Sequence, residues 1–228
     1  MSRLRRWDEL NIGDAYFNAT GVQTNYVEAV KWYRKAAELG NMVAQYDLGN
    51  MYANGNGVSQ DYVEAVKWYR KASDQGFSKA QNNLAIMYDN GHGVPMDYFE
   101  AVKLWRKAAE QGLANAQSDL GVMYGDGQGV SQNDLEAVKW FHKAANQGYA
   151  EGQNNLGIMY DTGRGVKRDY VEAFKWYHLA AIQGSVHATE KQEIISRKMT
   201  SSQITEAQRL ASEFRPVLQS SSTNSISP

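Results

Sequence analysis

The sequence contains no cysteine, so it forms no disulfide and no thiolate metal site. It also lacks an excess of either charge, with 24 Lys and Arg against 25 Asp and Glu and a formal net charge of −1. No global field therefore favours polyphosphate or an anionic membrane surface, and nucleic acid is not an expected partner. No apolar run approaches the length that crosses a bilayer, so membrane insertion is not expected either. The first residues, Met1 to Trp7, carry the positive charge of a leader's opening, yet Asp8, Glu9 and Asn11 follow where an apolar stretch belongs. As written, the chain is expected in the cytoplasm; a periplasmic or secreted location follows if a leader has been removed.

What the sequence does have is one unit written repeatedly at an interval of 36 residues. Residues 42–77 align without a gap to 78–113, 114–149 and 150–185, and an eroded copy occupies 6–41. That copy keeps Gly13, Tyr16, Gly21, Val22 and the stretch from Tyr26 to Ala37 in phase. Repetition on this scale lets 228 residues share a continuous stacked core without splitting into separately folded domains.

Each unit reads as two helices joined by a glycine turn. Ala44, Leu48, Met51 and Tyr52 give the apolar spacing of the first, and Ala65, Trp68, Tyr69 and Ala72 that of the second, predicting helices over 43–54 and 61–75. Asp61 with Glu64 reads as a capping box, and Asp97/Glu100, Asn133/Glu136 and Asp169/Glu172 repeat it. Gly40, Gly76, Gly112, Gly148 and Gly184 supply the helix stops. Glu28/Lys31, Glu64/Lys67, Glu100/Lys103, Glu136/Lys139 and Glu172/Lys175 place opposite charges three apart, which stabilises a helix and recognises nothing. Gly49, Gly121 and Gly157, with Ala85 in the remaining copy, mark places where helices approach closely.

After residue 185 the pattern changes. Val186 to Arg197 reads as one helix, and Thr200 with Gln203 opens another that carries Ile204, Ala207, Leu210 and Phe214. Residues 186–216 are thus expected to cap the stack, with Pro216 as a stop, 217–228 as a disordered tail and 1–5 as an N-terminal arm.

The strings AQYDLGNMYANGNGVSQDYVEAVKWYRKASDQG and AQNNLAIMYDNGHGVPMDYFEAVKLWRKAAEQG resemble Sel1-like repeats, relatives of the tetratricopeptide repeat. The resemblance covers residues 7–185. It implies an all-α, right-handed α-solenoid of helix-turn-helix repeats, with a C-terminal capping segment, that serves as a protein-binding scaffold or adaptor. It also implies that the first helices line the concave wall. Cysteine-rich relatives linked to penicillin binding carry a disulfide in every repeat, which this chain lacks.

Chemical alternatives find little in the residues. The Gly-x-Gly strings at Gly55/Gly57, Gly91/Gly93, Gly127/Gly129 and Gly163/Gly165 follow helices and precede no Lys-Ser/Thr, so they read as turns and not as phosphate cradles. The stripe Trp32, Trp68, Trp140 and Trp176, with Trp105 displaced by one position, reads as core. His142 and His178 occupy equivalent second-helix positions, too far apart for shared metal ligation, and are expected at the surface. No nucleophile–base set or unique carboxylate pair stands out, so neither a catalytic residue nor a cofactor or metal is assigned.

The informative positions are those whose copies diverge, because a recurring residue serves the scaffold. On the first helix, 46, 50 and 53 fall opposite the Ala44/Leu48/Met51 stripe. The candidate partner-binding residues there are Tyr46, Asn82, Ser118 and Asn154; Asn50, Ile86, Val122 and Ile158; and Asp89 and Asp161. Ile86, Val122 and Ile158 read equally as an interaction strip or as packing between adjacent first helices. The expected function is a non-enzymatic adaptor, monomeric, that takes a peptide segment or a protein surface in its groove. Two alternatives stand beside it: a secreted or envelope-associated factor engaging a host or cell-wall target, and a hydrolase acting on a β-lactam or cell-wall-like compound.

Overall fold

A computed structural model describes residues 2–217, with side chains from Trp7 onward. Among the described residues there are twelve helices and no strand. They divide into two compact units, one to Ala108 and one from Ala109. The first unit contains α1 (Ser2–Asn18), α2 (Tyr26–Glu38), α3 (Met42–Asn54), α4 (Tyr62–Asp74), α5 (Ser78–Asn90) and most of α6 (Tyr98–Glu110). The second contains α7 (Ala114–Asp126), α8 (Asp134–Asn146), α9 (Ala150–Thr162), α10 (Tyr170–Ala181), α11 (Val186–Ser196) and α12 (Ser201–Glu213). Residues 2–5, read from sequence as an arm, continue α1, and 218–228 lie outside the described residues.

Inside each unit, the first helix of a repeat packs on the second, as α3 does on α4 and α9 on α10, and the second packs on the first helix of the repeat that follows. The close approach has a specific cause. A Cβ at Gly49 would come within 2.6 Å of the Tyr69 ring, and Gly121 and Gly157 face Phe141 and Tyr177 in the same way. Glycine in a helix interior costs on the order of 1 kcal/mol against alanine, and burial of an aromatic side chain such as Tyr177, fully covered here, offsets it with ~1.5–3 kcal/mol. Trp68, Trp105, Trp140 and Trp176 are buried as the apolar stripe predicts, whereas Trp32 is only partly covered.

The turns do more than end helices. Gly57 adopts φ 71°, and a Cβ there would lie 2.3 Å from the carbonyl oxygen of Tyr26, at the start of the preceding repeat's second helix. Gly93 meets Tyr62 and Gly165 meets Asp134 identically. The second glycine of each of these strings therefore lets one repeat's turn rest directly on the backbone of the repeat before it.

Capping differs from the sequence expectation in one respect. Asp61 accepts hydrogen bonds from the amides of Val63 and Glu64, and Asp97, Asn133 and Asp169 cap their helices likewise. The reciprocal half of the box is absent there, because Glu64, Glu100, Glu136 and Glu172 turn to Lys67, Lys103, Lys139 and Lys175. Thr200 and Gln203 form a complete box at α12.

Both α11 and α12 pack on α10. Ala207 joins Phe174, Tyr177 and Ile195, and Phe214 meets Trp176 at 5.5 Å between ring centroids. The chain then runs past Gly148, where the Val217 amide donates to the Asn146 carbonyl at 2.7 Å. The cap is thereby anchored to the fourth repeat as well as the fifth.

Candidate functional site

The divergent first-helix positions do not form one uniform exposed face. At the first of them, Asn82 and Ser118 are each 2% exposed, and Tyr46 packs its ring against Phe77 and Tyr69 at 5.3 and 6.1 Å. Asn154 is half-buried, and its Oδ1, like that of Asn82, has no hydrogen-bond partner. This column lies in the interior between helices, because Tyr46 reaches the second helix of its own repeat. At the next position, Asn50, Ile86 and Ile158 are half-buried and Val122 is 36% exposed. Asn50 accepts from the Tyr69 hydroxyl at 2.7 Å and from Asn83 Nδ2 at 3.1 Å, so it bridges second and first helices. At the third, Asp89 and Asp161 are half-buried, and burial raises the Asp89 carboxyl above its usual range. Asp161 faces Lys198 at 3.9 Å. Of these candidates, Asn50, Ile86, Val122, Ile158, Asp89 and Asp161 keep partial exposure within their own units.

Each unit has a cleft lined by residues of its first helices. The first, of about 300 Å³, lies between the first and second repeats and is lined by Asp14, Phe17 and Asn18 of α1, Tyr33 of α2, and Asp47, Asn50, Met51 and Asn54 of α3. The second, of about 220 Å³, lies between the fourth and fifth and is lined by Val122, Gly125 and Asp126 of α7, Phe141 of α8, and Asn155, Ile158 and Met159 of α9. These are the same structural positions three repeats apart: Val122 stands where Asp14 does, Phe141 where Tyr33 does, Asn155 where Asp47 does and Ile158 where Asn50 does. The repeat makes the cavity; the divergent residues set its chemistry.

In the first cleft, the Tyr33 hydroxyl donates to Asp14 Oδ1 at 2.8 Å. Burial, then that bond, pushes the Tyr33 hydroxyl up and keeps it protonated. Burial and the neighbouring Asp14 charge push Asp47 up to about 7, against a smaller lowering by Lys79. In the second cleft, Arg164 reaches back from its turn to Asp134 and to the Gly125 carbonyl, both at 2.7 Å, and closes the rim.

His142 and His178 are half-buried and partnered, which corrects the surface expectation for these two. His142 is half-buried, meets the Tyr160 hydroxyl at 3.3 Å and stands edge-on to Trp176; burial lowers its pKa. It replaces Arg70, which donates to Tyr88 at 2.7 Å in an earlier repeat. His178 pairs with Gln192 at 3.2 Å. Among the described residues no group of three His, Cys, Asp or Glu is placed to hold a metal ion, and no helix is long and apolar enough to cross a membrane.

The family model of the Sel1 repeat matches residues 9–41, 43–77, 78–113, 114–149 and 150–185. The chain belongs to the Sel1 repeat family. Sel1 repeats form all-helical scaffolds that generally mediate protein–protein interaction. A Sel1 repeat protein from Oxalobacter formigenes is similar at 32% identity, with 94% of this chain and 86% of that one covered and a TM-score of 0.81. A protective antigen of uropathogenic Escherichia coli strains with the same fold is 30% identical over 92% of this chain; it is longer, with 53% of its length covered, and the TM-score is 0.61. An immunity protein from Pseudomonas aeruginosa shares the fold at 22% identity and a TM-score of 0.54, covering 92% of this chain and 86% of that one. A search of curated proteins gives no match.

Proposed function

We propose that this Sel1 repeat chain is a non-enzymatic adaptor that holds a peptide segment or a surface of another protein along its first helices. The observation that supports this reading is the contrast between columns. Scaffold residues recur in every copy, while three positions of the shared cleft frame differ, with Asp14, Asp47 and Asn50 in one cleft and Val122, Asn155 and Ile158 in the other. Within a unit, equivalent positions of neighbouring repeats lie roughly 8–10 Å apart, so an extended peptide rising ~3.3 Å per residue meets one about every third residue. Ile86, Val122 and Ile158 supply apolar contact, Asn50 amide contact, and Asp89 and Asp161 a preference for basic partners. Asn82, Ser118, Tyr46 and Asn154 act from beneath by fixing the helices that carry the groove.

The test is affinity capture from a lysate of the source cells, with folded variants compared by quantitative mass spectrometry. Ile86→Asp and Val122→Asp are expected to deplete a partner that Lys67→Ala and Lys139→Ala retain, since those lysines lie on exposed second-helix faces in intrahelical pairs. Loss of capture in the lysine variants with retention in the groove variants overturns the reading.

A further inference from the structure

We propose that the cleft between the first and second repeats is a socket for a cationic side chain of the partner, an arginine guanidinium above a lysine ammonium. The inference rests on the interaction reading and names what one cleft selects. Its walls are Asp14 on one first helix and Asp47 on the next, with the Phe17 ring, Tyr33 and Asn50 between them. Among the described residues no lysine or arginine lines the cavity. Asp14 is held by the Tyr33 hydroxyl at 2.8 Å, and Asn50 Oδ1 is taken by Tyr69 and Asn83, so both are fixed before any ligand arrives. Asp47 has no hydrogen-bond partner among the described residues; the charge that acts on it from outside the cavity is Lys79, on exposed α5 surface. Phe17, tilted against Tyr26 and Tyr33 at 5.4 and 6.4 Å, supplies an aromatic wall. Two carboxylates and a ring suit a planar cation with several donors better than a point charge.

The cleft three repeats along shows that the acids are not required by the architecture. There the same frame closes around Val122 and Asn155 in place of Asp14 and Asp47, with Phe141 in place of Tyr33. Burial of its carboxyl, and then the like charge of Asp14 across the cleft, hold Asp47 up to about 7. A charge pair that the fold can omit, and that is unfavourable when empty, becomes favourable once a cation enters between its members.

The experiment titrates the ¹⁵N-labelled full chain with N-acetyl-arginine amide at pH 7.5, to about 50 mM, above the ~1 mM or weaker dissociation constant of a single side chain. N-acetyl-citrulline amide, its neutral isostere, runs in parallel. Saturable shifts of the Asp14, Asp47 and Asn50 amide signals are expected with the arginine probe and not with citrulline, while Val122 and Ile158 stay still. Asp47→Asn and Asp14→Asn, each isosteric, are expected to weaken the arginine response about tenfold or more. An equal response to citrulline, an unchanged dissociation constant in both variants, or no saturable shift at these amides overturns the socket. Partner capture that depends on Ile86 and Val122 while this cleft stays silent overturns the socket alone; capture that the lysine variants lose and the groove variants retain overturns the adaptor reading instead.

Discussion

Gln75 donates from Nε2 to Gln45 Oε1 at 2.7 Å, and Gln45 in turn donates to the Ala37 carbonyl of the preceding repeat at 3.0 Å. Gln147, Gln117 and Ala109 repeat the chain at 2.7 and 3.1 Å, and Gln183, Gln153 and Ala145 at 2.8 and 3.3 Å. One buried amide thus ties three successive helices together, and Gln153 is 1% exposed. Gln153→Leu removes one hydrogen bond each from the Ala145 carbonyl, which keeps the Gly148 amide, and from Gln183, which keeps the Leu179 carbonyl, and is expected to destabilise the chain by about 1 kcal/mol. Exposed Gln128→Leu serves as the control, within ~0.5 kcal/mol of the parent. Urea denaturation followed by far-UV circular dichroism measures both, and equal midpoints would show that the amide chain contributes nothing.

Two glycines with positive φ are expected to respond very differently to alanine. Gly184 has φ 93° and open space around it, so Gly184→Ala carries only the left-handed strain of roughly 1–2 kcal/mol. Gly165 has φ 66°, and its Cβ would lie 2.3 Å from the Asp134 carbonyl oxygen. Gly165→Ala must therefore displace one repeat from the next, and a loss of about 3 kcal/mol or more is expected in the same denaturation assay. Comparable losses in the two variants would refute the direct contact between turn and backbone.

Asp47 gives stability a pH dependence of definite sign. Its carboxyl is pushed up to about 7 in the folded chain against 3.8 when free, so between those values the folded state keeps a proton that the unfolded state has lost. The contribution of this group to stability therefore falls as pH rises from about 4 to about 7, by at most ~1.4 kcal/mol for each step of one in pH. Asp47→Asn removes the penalty: its melting temperature is expected above the parent's at pH 8 and equal to it at pH 4. A variant less stable than the parent at pH 8 contradicts the unfavourable carboxylate.

The C-terminal segment should behave as part of the core. Deleting 199–228 uncovers Trp176, Phe174 and Tyr177, which α12 and the residue after it cover through Ala207, Ala211 and Phe214, and is expected to lower the melting temperature and promote aggregation. Phe214→Ala, which removes one ring from that contact, should lower melting by a fraction of the same amount. Full solubility and unchanged melting of the truncation would show that the fifth repeat needs no cover.

The columns formed by the aligned repeats held more than the candidate residues taken from them. Asp14 belongs to the same column as Asn50, Ile86, Val122 and Ile158, in the eroded first copy, and Asp47 sits one turn before Asn50 on the same helix. Extending the column back by one repeat finds Asp14. Nothing in a single sequence shows that Asp47 faces it across a cleft, because that juxtaposition depends on how far one hairpin is rotated against the next.

Period, helix boundaries, glycine stops, intrahelical ion pairs and the buried tryptophans follow from local chemistry, which recurs every 36 residues and is visible by repetition. Burial of Asn82 and Ser118, the shared clasp of Gln45 and Gln75, the partnered His142 and the return of Val217 to Asn146 were decided by tertiary structure alone. The reason is geometric: a helix presents several sides to its surroundings, and its hydrophobic period marks only the most apolar of them. Which remaining side meets the next repeat, and which stays open to a partner, is set by the stacking of whole hairpins.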